Sequence, residues 1–347
     1  VAAAAPLEAV VSRALPAAIS GHLRGVTGRL ALLALAWCGA APASAALRVL
    51  VVSGIGGEPQ YEERFAKWSE QVALAATTAT GDPARVQRLA GREATREQLT
   101  EALRKAAQEL QAGDQFVLVL LGHGTFDGNE YRLNLAGADP TGSEIGALLD
   151  RIPQGVAQLV VNATSTSGAI ADTWAKPQRV VITATKTGRE RNATRFGGYW
   201  AEALASEAAD RDKDGSITAQ EAYDFAVRKV EDSFKSDAAM QAEHARLTGK
   251  DLARFVVARR GATALFANDP QLVALRTEQE QVERRIGEVR TRKAGLAEDA
   301  YYQQLEPVLV ELARLGARID ARLEALGAGT NGPAAGARPR GGSNAPR

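Results

Sequence analysis

Four short apolar runs constrain the fold of this chain more than any other feature. Residues 47–54 (LRVLVVSG), 115–121 (QFVLVLL), 158–163 (QLVVNA) and 179–184 (RVVITA) are rich in Val, Leu and Ile. Each is nearly continuous in apolar side chains rather than alternating, as strands covered on both faces are. A weaker strand is expected near 85–89, and helices over 61–76 and 96–111. In the second helix Thr95 and Gln98 have capping-box spacing, and Leu99, Leu103, Ala106 and Leu110 share one face. Strands alternating with helices predict an α/β domain around a mostly parallel sheet, spanning 46–268. With 45% hydrophobic and 24% charged residues, that domain can bury a substantial core.

The first 45 residues read as an upstream extension and a signal peptide. Arg24 and Arg29 precede the run LALLALAWCGAAPASA, and Ala43-Ser44-Ala45 forms a small-x-small cleavage site near Ala45. The alternative is a short anchor that stays attached. The run falls short of the ~18 apolar residues that would span a bilayer. The expected location is therefore periplasmic or secreted, with no membrane span after cleavage. Cys38 is the only Cys, and it lies inside this segment, so the exported chain is expected to carry neither a disulfide nor a thiol nucleophile. A net charge of +1 excludes binding to nucleic acid through bulk charge.

Beyond Leu272 the texture changes. Leu275, Val282, Val289 and Leu296 recur every seven residues, and Leu305, Val308, Leu312, Leu315 and Ile319 follow at spacings of three and four. The segment 269–326 therefore predicts a helical hairpin or short coiled coil, turning near Gly295, with Pro307 expected to kink its second helix. Such a hairpin could carry oligomerisation. Residues 327–347, mostly Gly, Ala, Pro, Arg and Asn, predict a disordered tail.

In an open parallel sheet, polar residues just past the carboxyl ends of the strands gather in one crevice. His123, in GHG, follows one strong strand, and Ser165, in NATSTSG, follows the next. The segments GHG and TSTSG, in that order and each after a Val/Leu strand, resemble the caspase and legumain-like cysteine peptidases, in particular a bacterial legumain-related branch. The resemblance covers about residues 47–249 and implies a caspase-like α/β/α three-layer sandwich. Aligning Ser167-Gly168 with the family's Ser-Gly places His123 at the catalytic His and Ser165 where the nucleophilic Cys belongs. The acidic residue that the family often carries before its Cys is missing from Asn162-Ala163-Thr164. A hydroxyl has essentially no alkoxide at neutral pH and needs a tightly coupled base. The expected result is a pseudopeptidase that binds a peptide or protein without cutting it. Two alternatives stay open: a hydrolase in which His123 activates Ser165 (or Thr164), and an adaptor acting through the hairpin. GHG and TSTSG could also be plain turns.

DRDKDGSITAQE, residues 210–221, has the layout of an EF-hand loop. Asp210, Asp212, Asp214, Ser216 (through its carbonyl), Thr218 and Glu221 occupy the ligand positions, and Gly215 the sharp turn. Calcium, a hard cation that takes six to eight oxygens, is the expected cofactor. A single loop of this kind suits bracing of the fold better than sensing. Arg189, Arg191 and Arg195 form a basic cluster after the last strong strand, which could hold an acidic ligand side chain or simply be solvated. Asp127 could orient His123 or cap its own loop, and His244 is expected on a helix face.

Overall fold

The computed structural model describes residues 46–267 and 269–327. The expected signal segment and the tail beyond Gly327 lie outside the described residues. In chain order the elements are β1 (Leu47–Ser53), α1 (Pro59–Thr80), β2 (Val86–Ala90), α2 (Arg96–Glu109), β3 (Gln115–Leu121), β4 (Gly124–Phe126), β5 (Tyr131–Leu133), α3 (Gly142–Leu149) and β6 (Ala157–Asn162). There follow α4 (Ala171–Trp174), β7 (Arg179–Thr183), α5 (Phe196–Ala205), β8 (Ser216–Thr218), α6 (Ala219–Ser236), β9 (Arg246–Thr248), β10 (Val256–Arg259), α7 (Gly261–Leu265), α8 (Pro270–Thr291) and α9 (Glu298–Ala325).

Six strands form the central sheet in the order β2-β1-β3-β6-β7-β9. The first five run parallel, and β9 closes one edge antiparallel. The apolar runs serve both faces at once. Val49, Val51, Val117 and Val119 pack beneath Val72 of α1, Trp200 of α5 and Phe225 of α6. Leu50, Val52, Leu118 and Leu120 point to the other face, under Leu99 and Leu103 of α2 and Ile145 and Leu149 of α3. The result is the expected three-layer α/β architecture. Each fully buried Leu or Val contributes roughly 1.5–3 kcal/mol relative to exposure, so the two layers share the stabilisation.

Local chemistry sets the helix ends. Thr95 accepts the Gln98 N–H at 3.2 Å, as its spacing predicted. Helix α1 starts at Pro59, pre-set for a first turn, and stops at Gly81, whose φ of 66° is left-handed. It is therefore longer at both ends than the predicted 61–76.

The hairpin is present. Between α8 and α9 a tight turn ends at Gly295, and Leu275, Val282, Ile286, Val289, Tyr301, Leu305 and Leu315 form a separate apolar cluster. Helix α9 continues through Pro307, which lies inside it. Asp269 caps α8 at the Leu272 N–H (2.9 Å) and takes both Nε and Nη2 of Arg322 (3.0 and 2.7 Å), fastening the open end of the hairpin. No helix among the described residues is long and apolar enough to cross a membrane.

Candidate functional site

The sheet register places His123 and Ser165 level with each other. Leu120 of β3 is paired with Asn162 of β6. His123 and Ser165 each lie three residues farther along, so both stand at the carboxyl edge of neighbouring strands. Glycine lets the two loops touch. A Cβ on Gly124 would lie 2.6 Å from the Ser165 carbonyl oxygen and 2.8 Å from Thr164 Oγ1. Gly122 turns the chain at a φ of 132°, a conformation that L side chains rarely adopt.

The two side chains are engaged separately. The His123 ring packs edge-on against Tyr61 and Phe65 of α1, with centroids 4.9 and 5.0 Å away. Among the described residues no hydrogen bond joins that ring to Ser165, which is only 3% exposed. Asp127 is a loop cap: its Oδ1 accepts the N–H groups of Asn129 (2.9 Å) and Glu130 (2.8 Å). Those bonds hold its carboxyl below the usual carboxylate range.

Thr164 is tied into a buried network that sequence reasoning missed. Its Oγ1 lies 2.6 Å from Tyr131 Oη and donates to Asn162 Oδ1 at 2.7 Å. Burial pushes the Tyr131 phenol up to about 12, and an amide oxygen is no base. Strand β5, which carries Tyr131, is three residues long and shows no periodicity, so only the bulk of an isolated Tyr signalled it.

The chain after Ser165 is closed in. Thr166 sits at a φ of 57°, a left-handed conformation that costs a non-glycine residue roughly 1–2 kcal/mol. Its N–H donates to the Glu190 carbonyl at 2.9 Å. Gly168 donates its N–H to Thr185 Oγ1 at 2.8 Å and has no room for a Cβ against Lys186 and Thr187. The turn TSTSG is thus packed under the loop that follows β7.

That loop carries the three arginines, and they do not act as one cluster. Arg189 and Arg191 are exposed, whereas Arg195 is drawn away. Its Nη1 donates to Asp237 at 2.6 Å, and its guanidinium lies 4.3 Å over the Phe234 ring. His244 is not on a helix. It sits in the extended segment before β9, with Nδ1 3.0 Å from Glu190 Oε1. Beside it Glu243, buried at 4% exposure, accepts the N–H groups of Arg195 (2.7 Å) and Phe196 (2.8 Å) and so caps α5. Burial outweighs those bonds and pushes the Glu243 carboxyl up to about 7. No motif marked Glu243 in the sequence; it works as a long-range cap.

The acidic loop has the predicted turn. Gly215 (φ 77°) donates its N–H to Asp210 Oδ2 at 3.1 Å. Asp212 and Asp214 accept the N–H groups of Asp214 (3.3 Å) and Ser216 (2.6 Å). One carboxylate oxygen each from Asp210, Asp212 and Asp214 falls within 4.8 Å of the others. Asp210 is 9% exposed, and its Oδ1 has no hydrogen-bond partner. A buried carboxylate oxygen without a donor is costly unless a cation takes it. Lost hydration, with the like charges of Asp212, Asp210 and Glu221, pushes the Asp214 carboxyl up to about 6. The three aspartates thus fit a hard cation.

Two of the other predicted ligands also serve the helix that follows. Glu221 and Thr218 form the capping box of α6, with Glu221 Oε2 accepting from the Thr218 N–H (2.9 Å) and hydroxyl (2.8 Å). Glu221 Oε1 accepts the Arg211 N–H at 2.9 Å. A cation would have to draw Glu221 from those bonds. Ser216 opens β8, which pairs antiparallel with β10 rather than with a second acidic loop.

No family model matches the chain, and no curated protein matches it. Among solved structures it is similar to protein GSU0716 from Geobacter sulfurreducens, at 16% identity and a TM-score of 0.44, over 62% of this chain and 97% of that one. It is similar also to caspase-1 from Spodoptera frugiperda, at 12% identity and a TM-score of 0.43, over 62% of this chain and 91% of that one. The three-layer α/β description rests on the sheet order and packing given above.

Proposed function

We propose that this chain is an exported caspase-like pseudopeptidase: a peptide- or protein-binding module whose former catalytic crevice does not hydrolyse, braced by a calcium-binding loop. The observation that carries this reading is the fate of the two expected catalytic groups. His123 is engaged by two aromatic rings and makes no hydrogen bond to Ser165, whose hydroxyl replaces a thiol. Serine catalysis needs a base within hydrogen-bond reach and a third group orienting that base. Asp127, the nearest acid in sequence, is spent on its own loop. The legumain-related branch, the periplasmic or secreted location and the calcium ligand set belong to the same proposal and rest on the sequence motifs. A fluorophosphonate probe tests it: the full chain should remain unlabelled under conditions that label a serine hydrolase. Labelling lost on Ser165→Ala would replace this reading with the hydrolase.

A second reading, an adaptor or oligomer formed through the hairpin, is favoured by one observation. Helix α9 exposes Tyr302, Leu309 and Val310 at 51%, 41% and 43% on its outer side.

A further inference from the structure

The loop that follows β7, residues 184–195, touches both sides of the crevice. On one side the Thr166 N–H donates to the Glu190 carbonyl at 2.9 Å, and Gly168 lies tight against Lys186 and Thr187. On the other side Gly188 rests on the ring of Phe126 in β4, where a Cβ would lie 2.4 Å from Phe126 Cδ1. The loop therefore crosses from the turn that carries Ser165 to the hairpin that follows His123.

Its ends and its middle are held differently. At one end Thr185 Oγ1 accepts the Gly168 N–H at 2.8 Å. At the other, Thr194 Oγ1 donates to the Ala163 carbonyl at 2.6 Å, and Glu243 accepts the Arg195 and Phe196 N–H groups. Between these anchors Lys186, Thr187, Arg189, Arg191 and Asn192 are exposed, and the fastening is the Glu190 carboxylate. Its Oε2 accepts the N–H groups of Lys186 (3.0 Å) and His244 (3.2 Å), and its Oε1 lies 3.0 Å from His244 Nδ1. His244 belongs to the segment before β9, outside the loop.

The residue beneath the loop bears a cost for this closure. Thr166 is 1% exposed, sits at a φ of 57°, and has its Oγ1 buried without a hydrogen-bond partner. A left-handed non-glycine residue and an unpaired buried hydroxyl persist only where the surroundings hold them. Lifting the loop frees that backbone and hydrates that hydroxyl.

We propose that residues 186–193 form a strap over the Ser165 turn, latched by Glu190 to His244, and that the strap lifts as a unit to uncover Ser165. Both anchors stay in place, so the opening is local and leaves the sheet intact. The proposal concerns access to the crevice and stands apart from whether the crevice binds or cuts.

The test is alkylation by iodoacetamide of the full chain carrying Cys38→Ser and Ser165→Cys, because modification of a buried group tracks the population of the open form. Glu190→Ala removes bonds to a charged group and should speed labelling about tenfold or more. His244→Ala leaves the acid in place and should speed it in the same sense. Dilute urea separates lifting from unfolding, since its effect scales with the surface exposed. Labelling of Ser165→Cys should be nearly flat in urea, whereas Val160→Cys, buried in β6, should rise steeply. Should Glu190→Ala fail to fold, His244→Ala decides alone. Should Ser165→Cys disturb the turn, amide exchange at Thr166 replaces it, with the same variants and the same urea series. Labelling that neither latch variant speeds, that responds to Glu190→Ala but not to His244→Ala, or that climbs with urea as steeply as Val160→Cys would overturn the strap.

Discussion

Asp210 and Glu243 are both buried carboxylates, yet they answer to different chemistry. Asp210 keeps an oxygen without a donor beside two other aspartates. Glu243 has two backbone donors and still sits at about 7, because burial outweighs them. For Asp210 the expected outcome is that calcium at about a hundredfold excess over its Kd raises the Tm by about 5–10 °C. Asp210→Asn should abolish that rise, as read by thermal melting with and without chelator. For Glu243 the folded carboxyl binds its proton more tightly than the unfolded one. Stability is therefore full below the ordinary carboxylate range, falls as pH rises towards about 7, and is level above that. The loss is on the order of 1–3 kcal/mol. Denaturant melts between pH 4.5 and 8 should show this slope, flattened in Glu243→Gln, which also gives up one of the two capping bonds. Such residues differ in how far the sequence reveals them. Asp210 was legible because its partners lie within a dozen positions. Glu243 was not, because it caps a helix beginning 47 residues earlier.

The elements most legible in the sequence are those whose signal is longest. The Val-rich strands β1, β3, β6 and β7 appear where their apolar runs lie, since a strand buried on both faces has to be apolar throughout. Helices α8 and α9 follow their heptads. The three-residue strands β4, β5 and β9 were invisible because they are too short for a period and are held by their neighbours. The pairing of β8 with β10 was hidden for the same reason, although it supplies the acidic loop with the antiparallel partner that a second loop would otherwise provide. Exposure is less legible than periodicity. On α9, Leu309 and Val310 lie outside the hairpin's own apolar cluster and face solvent. If this side of α9 carries self-association, Leu309→Glu should convert an oligomer to a monomer by light scattering without changing helix content; an unchanged mass would exclude this face as the contact.

The whole molecule is a three-layer α/β body followed by a helical hairpin with its own apolar cluster, and two polar loops meet at the carboxyl edge of its sheet. The sheet register brings His123 and Ser165 level, and glycines press their loops together. The His123 ring instead meets Tyr61 and Phe65, and Thr164 is held by Tyr131 and Asn162. Position was readable from the strand ends. Engagement was not, because the rings that occupy His123 come from α1, about sixty residues away in sequence. Turnover of a fluorogenic peptide library by the full chain, with Ser165→Ala and His123→Ala beside it and calcium both present and chelated, bears most directly on the proposal that the crevice does not hydrolyse. All three chains should give the same rate as buffer. Cleavage by the wild type that both substitutions abolish would show the crevice to be a working active site.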